Sequence, residues 1–178
     1  YTASQKHDGP FVIRYPRGTG SMVDWQTPFE EVEIGRGRRL RNGNDVALLS
    51  IGAIGTEATE AAETLEKRGI QAAHYDMRFV KPLDDVLLHE VFGRFKDVIT
   101  IEDGCVQGGM GSAVTEWAME HGYAAKVARL GVPDRYIEHG SQAQLYKECG
   151  YDADAIVEKA VAMCEARAAS ADAGMRIA

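Results

Sequence analysis

Residues 97–121, DVITIEDGCVQGGMGSAVTEWAMEH, decide the fold. A short apolar run (Val98, Ile99, Ile101) meets two acids, Glu102 and Asp103, and then a turn rich in glycine at 104, 108, 109 and 111. After the turn, Met110, Val114, Trp117, Ala118 and His121 recur at helical spacing. Strand, tight turn and helix in this order form the central unit of an open α/β sheet, whose ligands meet the carboxyl ends of the strands. The turn departs from the dinucleotide pattern G-x-G-x-x-G and carries no P-loop lysine. Backbone N–H groups at a helix start can cradle a phosphate, but the two acids in front would repel one. The glycines therefore read as permitting close packing of helix 109–121 on its neighbours, with a dimer interface as one option.

Working outward, Val46–Ile51 is a second buried strand and Thr56 is the expected N-cap of a helix over 56–68, closed by Gly69. A strand follows at Gln71–Tyr75, then a helix over 84–93 that opens on Asp84 and Asp85. Between them, Asp76, Arg78 and Lys81 lie at a strand's carboxyl end, either as a site or as a charged loop pairing with itself or a neighbour. Downstream, Lys126–Leu130 is the last strand, Ser141 with Gln144 forms a capping box, and Asp152 opens a final helix over about 153–168. Upstream, residues 31–43 end on Asn42-Gly43, a favoured hairpin turn, and are expected to pair with the strand at 46–51. This alternation predicts a three-layer α/β/α sandwich with a five-stranded, mostly parallel sheet and one antiparallel edge strand. The domain is placed at 31–169, with 1–18 the tail of a preceding domain, 19–30 a linker and 170–178 a frayed tail.

The first segment contains Phe11-Val12-Ile13-Arg14-Tyr15-Pro16-Arg17-Gly18. Pro16 holds Tyr15 extended and ends the strand, so Arg14 and Arg17 sit on a constrained backbone at a strand's end. Two readings stand: guanidinium groups poised to grip a phosphate through paired hydrogen bonds, or surface arginines in salt bridges.

Composition narrows the classes. With 20 Lys and Arg against 27 Asp and Glu, the net charge of −7 argues against a general nucleic-acid binder. Arg36, Arg38, Arg39 and Arg41 read as a solvated strand edge. No apolar run reaches the roughly 18 residues that cross a bilayer. Three cysteines without metal-ligand spacing point to a reducing cytoplasm. His74, His89, His121 and His139 are scattered, and Ser50, Ser112 and Ser141 lack a nucleophile-elbow context. His139 stands out only because it lies in a long loop past a strand end. The chain opens on Tyr1 rather than Met, as expected of a trimmed chain.

The ordered series GPFVIRYPRG, VALLSIG, DMRFVKPLD, VITIEDGCVQGGMGSAV and GVPDRYIEHGS resembles the carboxyl-terminal part of the 1-deoxy-D-xylulose-5-phosphate synthase family, within the transketolase superfamily. The resemblance runs from Gly9 to about Val161. It implies a homodimeric, cytoplasmic transferase that uses thiamine diphosphate and Mg2+ to condense pyruvate with D-glyceraldehyde 3-phosphate, releasing CO2. The product feeds isoprenoid, thiamine and pyridoxal phosphate synthesis. It further implies that Arg17 binds the phosphate of the acceptor aldehyde, with Arg14 and Tyr15 as supporting residues; His139, by its place in the loop, is a further supporting candidate. The family's cofactor motif, G-D-G followed by an asparagine, is absent, as is the region of the glutamate that activates the cofactor. Residues 1–18 then correspond to the end of a pyrimidine-binding domain, and the piece alone is expected neither to bind the cofactor nor to turn over. The alternative is a stand-alone, non-catalytic domain of the same fold, binding a partner protein or a small anion through the glycine-rich turn with Glu102 and Asp103.

Overall fold

The structure is a computed structural model that describes residues 9–13 and 30–175, with side chains up to residue 170. Arg14, Tyr15 and Arg17 lie outside the described residues. Among the described residues the strands are β1 (Arg38–Arg41), β2 (Val46–Ile51), β3 (Ala72–Asp76), β4 (Asp97–Cys105) and β5 (Lys126–Val132). The helices are α1 (Gly55–Lys67), α2 (Asp85–Arg94), α3 (Met110–Glu120), α4 (Gln142–Cys149) and α5 (Ala153–Met175), and a 3-10 turn at Gly52–Ile54 leads into α1.

The strands order as β1-β3-β2-β4-β5, and every pairing is parallel except that of β1 with β3. Strands covered on both faces read as near-continuous apolar runs; β2 does so over Val46–Leu49, and β4 over 98–101 with Thr100 its one polar residue. Their side chains alternate between two cores. Val46, Leu48, Ile99 and Ile101 face α1 and α5, where Ala58, Ala61, Ala62 and Ala160 let the two helices lie close. Ala47, Leu49, Tyr75 and Val98 face α2 and α3, meeting Val91, Phe92, Val114 and Trp117. The α/β/α sandwich with one antiparallel edge strand is as the sequence predicts.

Three local expectations change. The Asn42-Gly43 turn closes no hairpin, because β1 pairs with β3 and the chain passes beneath the start of β3 to reach β2. Asn44 and Asp45 give their N–H groups to the Gln71 carbonyl at 3.0 Å, and the Asp45 carboxylate accepts the Gln71 N–H at 2.7 Å. Gly43 lies so close to the Ala72–Ala73 backbone that a Cβ there would collide with it. Thr56 does not cap α1; it lies inside the helix and donates its hydroxyl to the Ala53 carbonyl at 3.0 Å. The last helix runs on to Met175 rather than ending near 168, as an alanine-rich stretch of high helix propensity allows.

A polar pair, His74 and Ser50, sits inside the α1 side of the sheet. His74 is 1% exposed, with Ser50 Oγ 2.8 Å from Nε2 and Thr59 Oγ1 3.4 Å from Nδ1. Burial, reinforced by the Arg41 charge and opposed by Asp76, lowers its pKa to about 4, so it is folded as the neutral ring. An unfolded chain binds a proton at His74 near pH 6.5, where the folded chain does not. Its contribution is therefore complete above pH 6.5 and is lost as pH falls from about 6.5 to about 4. Denaturant titrations across that window should show a loss approaching about 3 kcal/mol from this one group. His74→Gln should remove that component of the slope, and an unchanged slope would contradict the assignment.

Candidate functional site at the carboxyl ends of the strands

The place where an open α/β sheet holds an anion, the helix start beyond its central strand, is filled by the chain's own carboxylate. Glu102, at 5% exposure, accepts the Met110 N–H at 2.7 Å through Oε2 and the Gly111 N–H at 2.9 Å through Oε1. The glycines around it are the mould for that side chain. A Cβ on Gly109 would collide with the Glu102 carboxylate and the Cys105 carbonyl, and one on Gly111 with Thr100 Oγ1. A Cβ on Gly131 would stand 2.9 Å from the Glu102 carbonyl. Ser112 then fixes the turn: its hydroxyl donates to the Val106 carbonyl at 3.0 Å and accepts from Gly108 N–H at 3.0 Å and Arg129 Nη1 at 2.7 Å. The reading of the glycines as close-packing residues holds within the chain, and what they pack around is Glu102.

Its neighbours are also committed. Asp103 accepts the Tyr151 hydroxyl at 3.0 Å and the Tyr146 hydroxyl at 3.3 Å, tying α4 to the end of β4. Burial first, and then the Asp103 charge, pushes Tyr146 up to about 12 and Tyr151 up as well, so both remain donors. Glu57 accepts the Ala153 N–H at 2.9 Å, at the start of α5. Glu102 is thus unavailable as a contact surface for a partner, contrary to the stand-alone reading, although Asp103 keeps an exposed edge.

The end of β3 is built differently. Met77, fully buried, hangs from the Ser50 carbonyl by its N–H at 2.8 Å. The next residue, Arg78, has φ 55°, and Phe79 N–H returns to the Met77 carbonyl at 2.5 Å, closing a γ-turn centred on Arg78. A non-glycine residue in this region costs about 1–3 kcal/mol and persists where its surroundings over-determine it, often at a functional site. Asp76 supplies part of that determination, accepting the Arg78 N–H at 3.2 Å through Oδ1. Its Oδ2 lies 3.7 Å from Arg78 Nε and accepts from Arg38 Nε at 3.1 Å. Nearby, the buried Asp84, expected at the positive end of α2, stands just before that helix and caps it at the Leu87 N–H (3.0 Å), and also holds Gly37 N–H (3.0 Å) and Arg36 (3.3 Å). Lys81 is exposed in this loop.

His139 is exposed in the segment between β5 and α4, with no hydrogen bond among the described residues linking it to Arg78. His89 and His121, scattered in the sequence, meet at Trp117: the His121 ring stacks on it at 4.0 Å, and the two imidazoles are 5.2 Å apart. The sequence marked Arg78 only as a charged residue past a strand end. The strained turn that presents it, and the role of Asp76 in holding that turn, have no signal in a single sequence.

Residues 35–156 match the family model for the transketolase C-terminal domain. The chain belongs to that family. It is similar to 1-deoxy-D-xylulose-5-phosphate synthase of Cytophaga hutchinsonii, 57% identical over 157 residues, which is 88% of this chain and 25% of the relative. The synthase of Bacteroides thetaiotaomicron is 50% identical over 166 residues, 93% of this chain and 26% of that protein. The chain therefore spans about a quarter of the length of these curated relatives. Among solved structures it resembles one described as a split gene transketolase, inactive beta4 tetramer, with TM-score 0.68 and 36% identity, covering 75% of this chain and 43% of that one.

The described part of this transketolase C-terminal domain does not fit thiamine diphosphate with Mg2+. The helix start suited to a diphosphate is held by Glu102. Among the described residues no group of three or more His, Cys, Asp and Glu could hold a metal ion. No helix among them is long and apolar enough to cross a membrane.

Gly111→Ala tests the Glu102 mould by its sign. At an ordinary helical position the change stabilises by about 1 kcal/mol; here it should destabilise, because Thr100 and the Arg129 stem occupy the space. Glu102→Ala should cost about 2–4 kcal/mol in urea unfolding, since two helix N–H groups lose a charged acceptor. A neutral result for both would show that the turn stands without its carboxylate.

Proposed function

We propose that this chain is the carboxyl-terminal part of a cytoplasmic, homodimeric 1-deoxy-D-xylulose-5-phosphate synthase, contributing phosphate contacts for D-glyceraldehyde 3-phosphate. The observation that carries the reading is the 57% identity over 157 residues to a synthase, in a chain that retains RYPRG and MRFVKPLD. In the complete enzyme, bound thiamine diphosphate with Mg2+ supplies the decarboxylating chemistry on pyruvate. This chain's part is to bind and orient the acceptor. Arg17 is the first phosphate contact, with Arg14, Tyr15 and His139 as supporting residues. Arg78 is the second, on the strength of its strained turn: a guanidinium held by Nε to Asp76 keeps its two Nη nitrogens without a partner among the described residues.

By itself the chain is inactive in this reading. The filled strand ends support that, as does a structural relative whose own description is of a divided transketolase in an inactive tetramer. The purified polypeptide should release no CO2 from pyruvate in the presence of thiamine diphosphate and Mg2+, and measurable release would refute this part of the proposal.

Arg17→Ala in the complete enzyme should raise the KM for D-glyceraldehyde 3-phosphate by about 10–100-fold, the loss of one charge-assisted contact. The pyruvate KM should move by less than about twofold. Equal increases for both substrates would assign Arg17 a structural role.

A further inference from the structure

We infer that Asp76 is a positioning residue for acceptor binding, its carboxylate holding the Arg78 turn in the conformation that presents the guanidinium. This rests on the reading of Arg78 as a phosphate contact. A carboxylate beside an anion site is unfavourable on charge alone, so its presence there calls for a geometric reason. Asp76 has one. Oδ1 accepts the N–H of the very residue with φ 55°, and Oδ2 lies beside that residue's Nε, so one side chain restrains both the backbone and the guanidinium of Arg78.

The edge strand completes the device. Arg38 is the register partner of Asp76 in the antiparallel β1–β3 pair, and its Nε donates to Oδ2 at 3.1 Å. That bond orients the carboxylate so that Oδ1 faces the Arg78 N–H. It also offsets the acid's charge, leaving Arg38, Asp76 and Arg78 with a net single positive charge toward a phosphate. The antiparallel edge strand β1 thereby acquires a use beyond closing the sheet's edge.

The test is a double-mutant cycle in the complete synthase, with both D-glyceraldehyde 3-phosphate and unphosphorylated D-glyceraldehyde as acceptors. Asp76→Asn should raise the KM of the phosphorylated acceptor about fivefold or more. Its kcat, and the pyruvate KM, should stay within about twofold. The unphosphorylated acceptor should be unaffected, and Asp76→Asn should add nothing in an Arg78→Ala background. Should Asp76→Asn fail to fold, Asp76→Glu retains the charge but moves it outward, and the same KM rise is expected. If Arg78→Ala raises the KM while the Asp76 variants do not, the positioning role is wrong and the Arg78 contact stands. Full additivity, or an equal effect on the unphosphorylated acceptor, would likewise reduce Asp76 to a structural residue. An Arg78→Ala enzyme with unchanged KM overturns both the contact and its support.

Discussion

Two N–H groups at the start of α3, on Met110 and Gly111, converge on one buried carboxylate at the end of β4. Glu102 leaves water for that position, and its desolvation is offset only because both oxygens receive a backbone donor at the positive end of a helix. Much of the surrounding chain follows from making room for it. The backbone must close around the side chain, hence the residues without a Cβ at 109, 111 and 131. The turn must hold its shape, hence the Ser112 and Arg129 bonds. With α3 anchored this way, Met110, Val114 and Trp117 complete the core on the α2 side of the sheet.

That constraint sets what the strand ends hold. In most open α/β sheets the crevice beyond the central strands takes the ligand, whereas here Glu102, Asp103 and Glu57 spend their acceptor capacity on α3, on two tyrosines and on α5. To the side of these carboxylates, β3 ends in a turn that holds an arginine at positive φ. The proposed phosphate contact at Arg78 would sit on that turn.

The layer order and helix positions were legible because they rest on local signals: the apolar runs of β2 and β4, the acids Asp84 and Asp85 at the start of α2, and the Ser141–Gln144 box, which the structure reproduces on both sides. The misreadings have a common cause in long-range contacts. Asn42-Gly43 is a sound turn, but Gln71 rather than β2 receives the chain after it. The glycine-rich turn announces close approach without saying to what, and its partner is an acid in the preceding strand. His89 and His121 lie far apart in sequence and come together only because α2 and α3 pack around Trp117. The strain at Arg78 is invisible to any pattern of residue types, since nothing in an arginine's chemistry signals φ 55°. Arg17, the phosphate contact that the resemblance implies, lies outside the described residues.

In this proposal the chain's own carboxylates stand at the strand ends where a cofactor would otherwise be held. The direct test is a calorimetric titration of the 178-residue chain with thiamine diphosphate in the presence of Mg2+. Heats indistinguishable from dilution are expected up to millimolar cofactor. Saturable binding in the micromolar range would show that the chain holds the cofactor after all, and would contradict the proposal that it serves the acceptor instead.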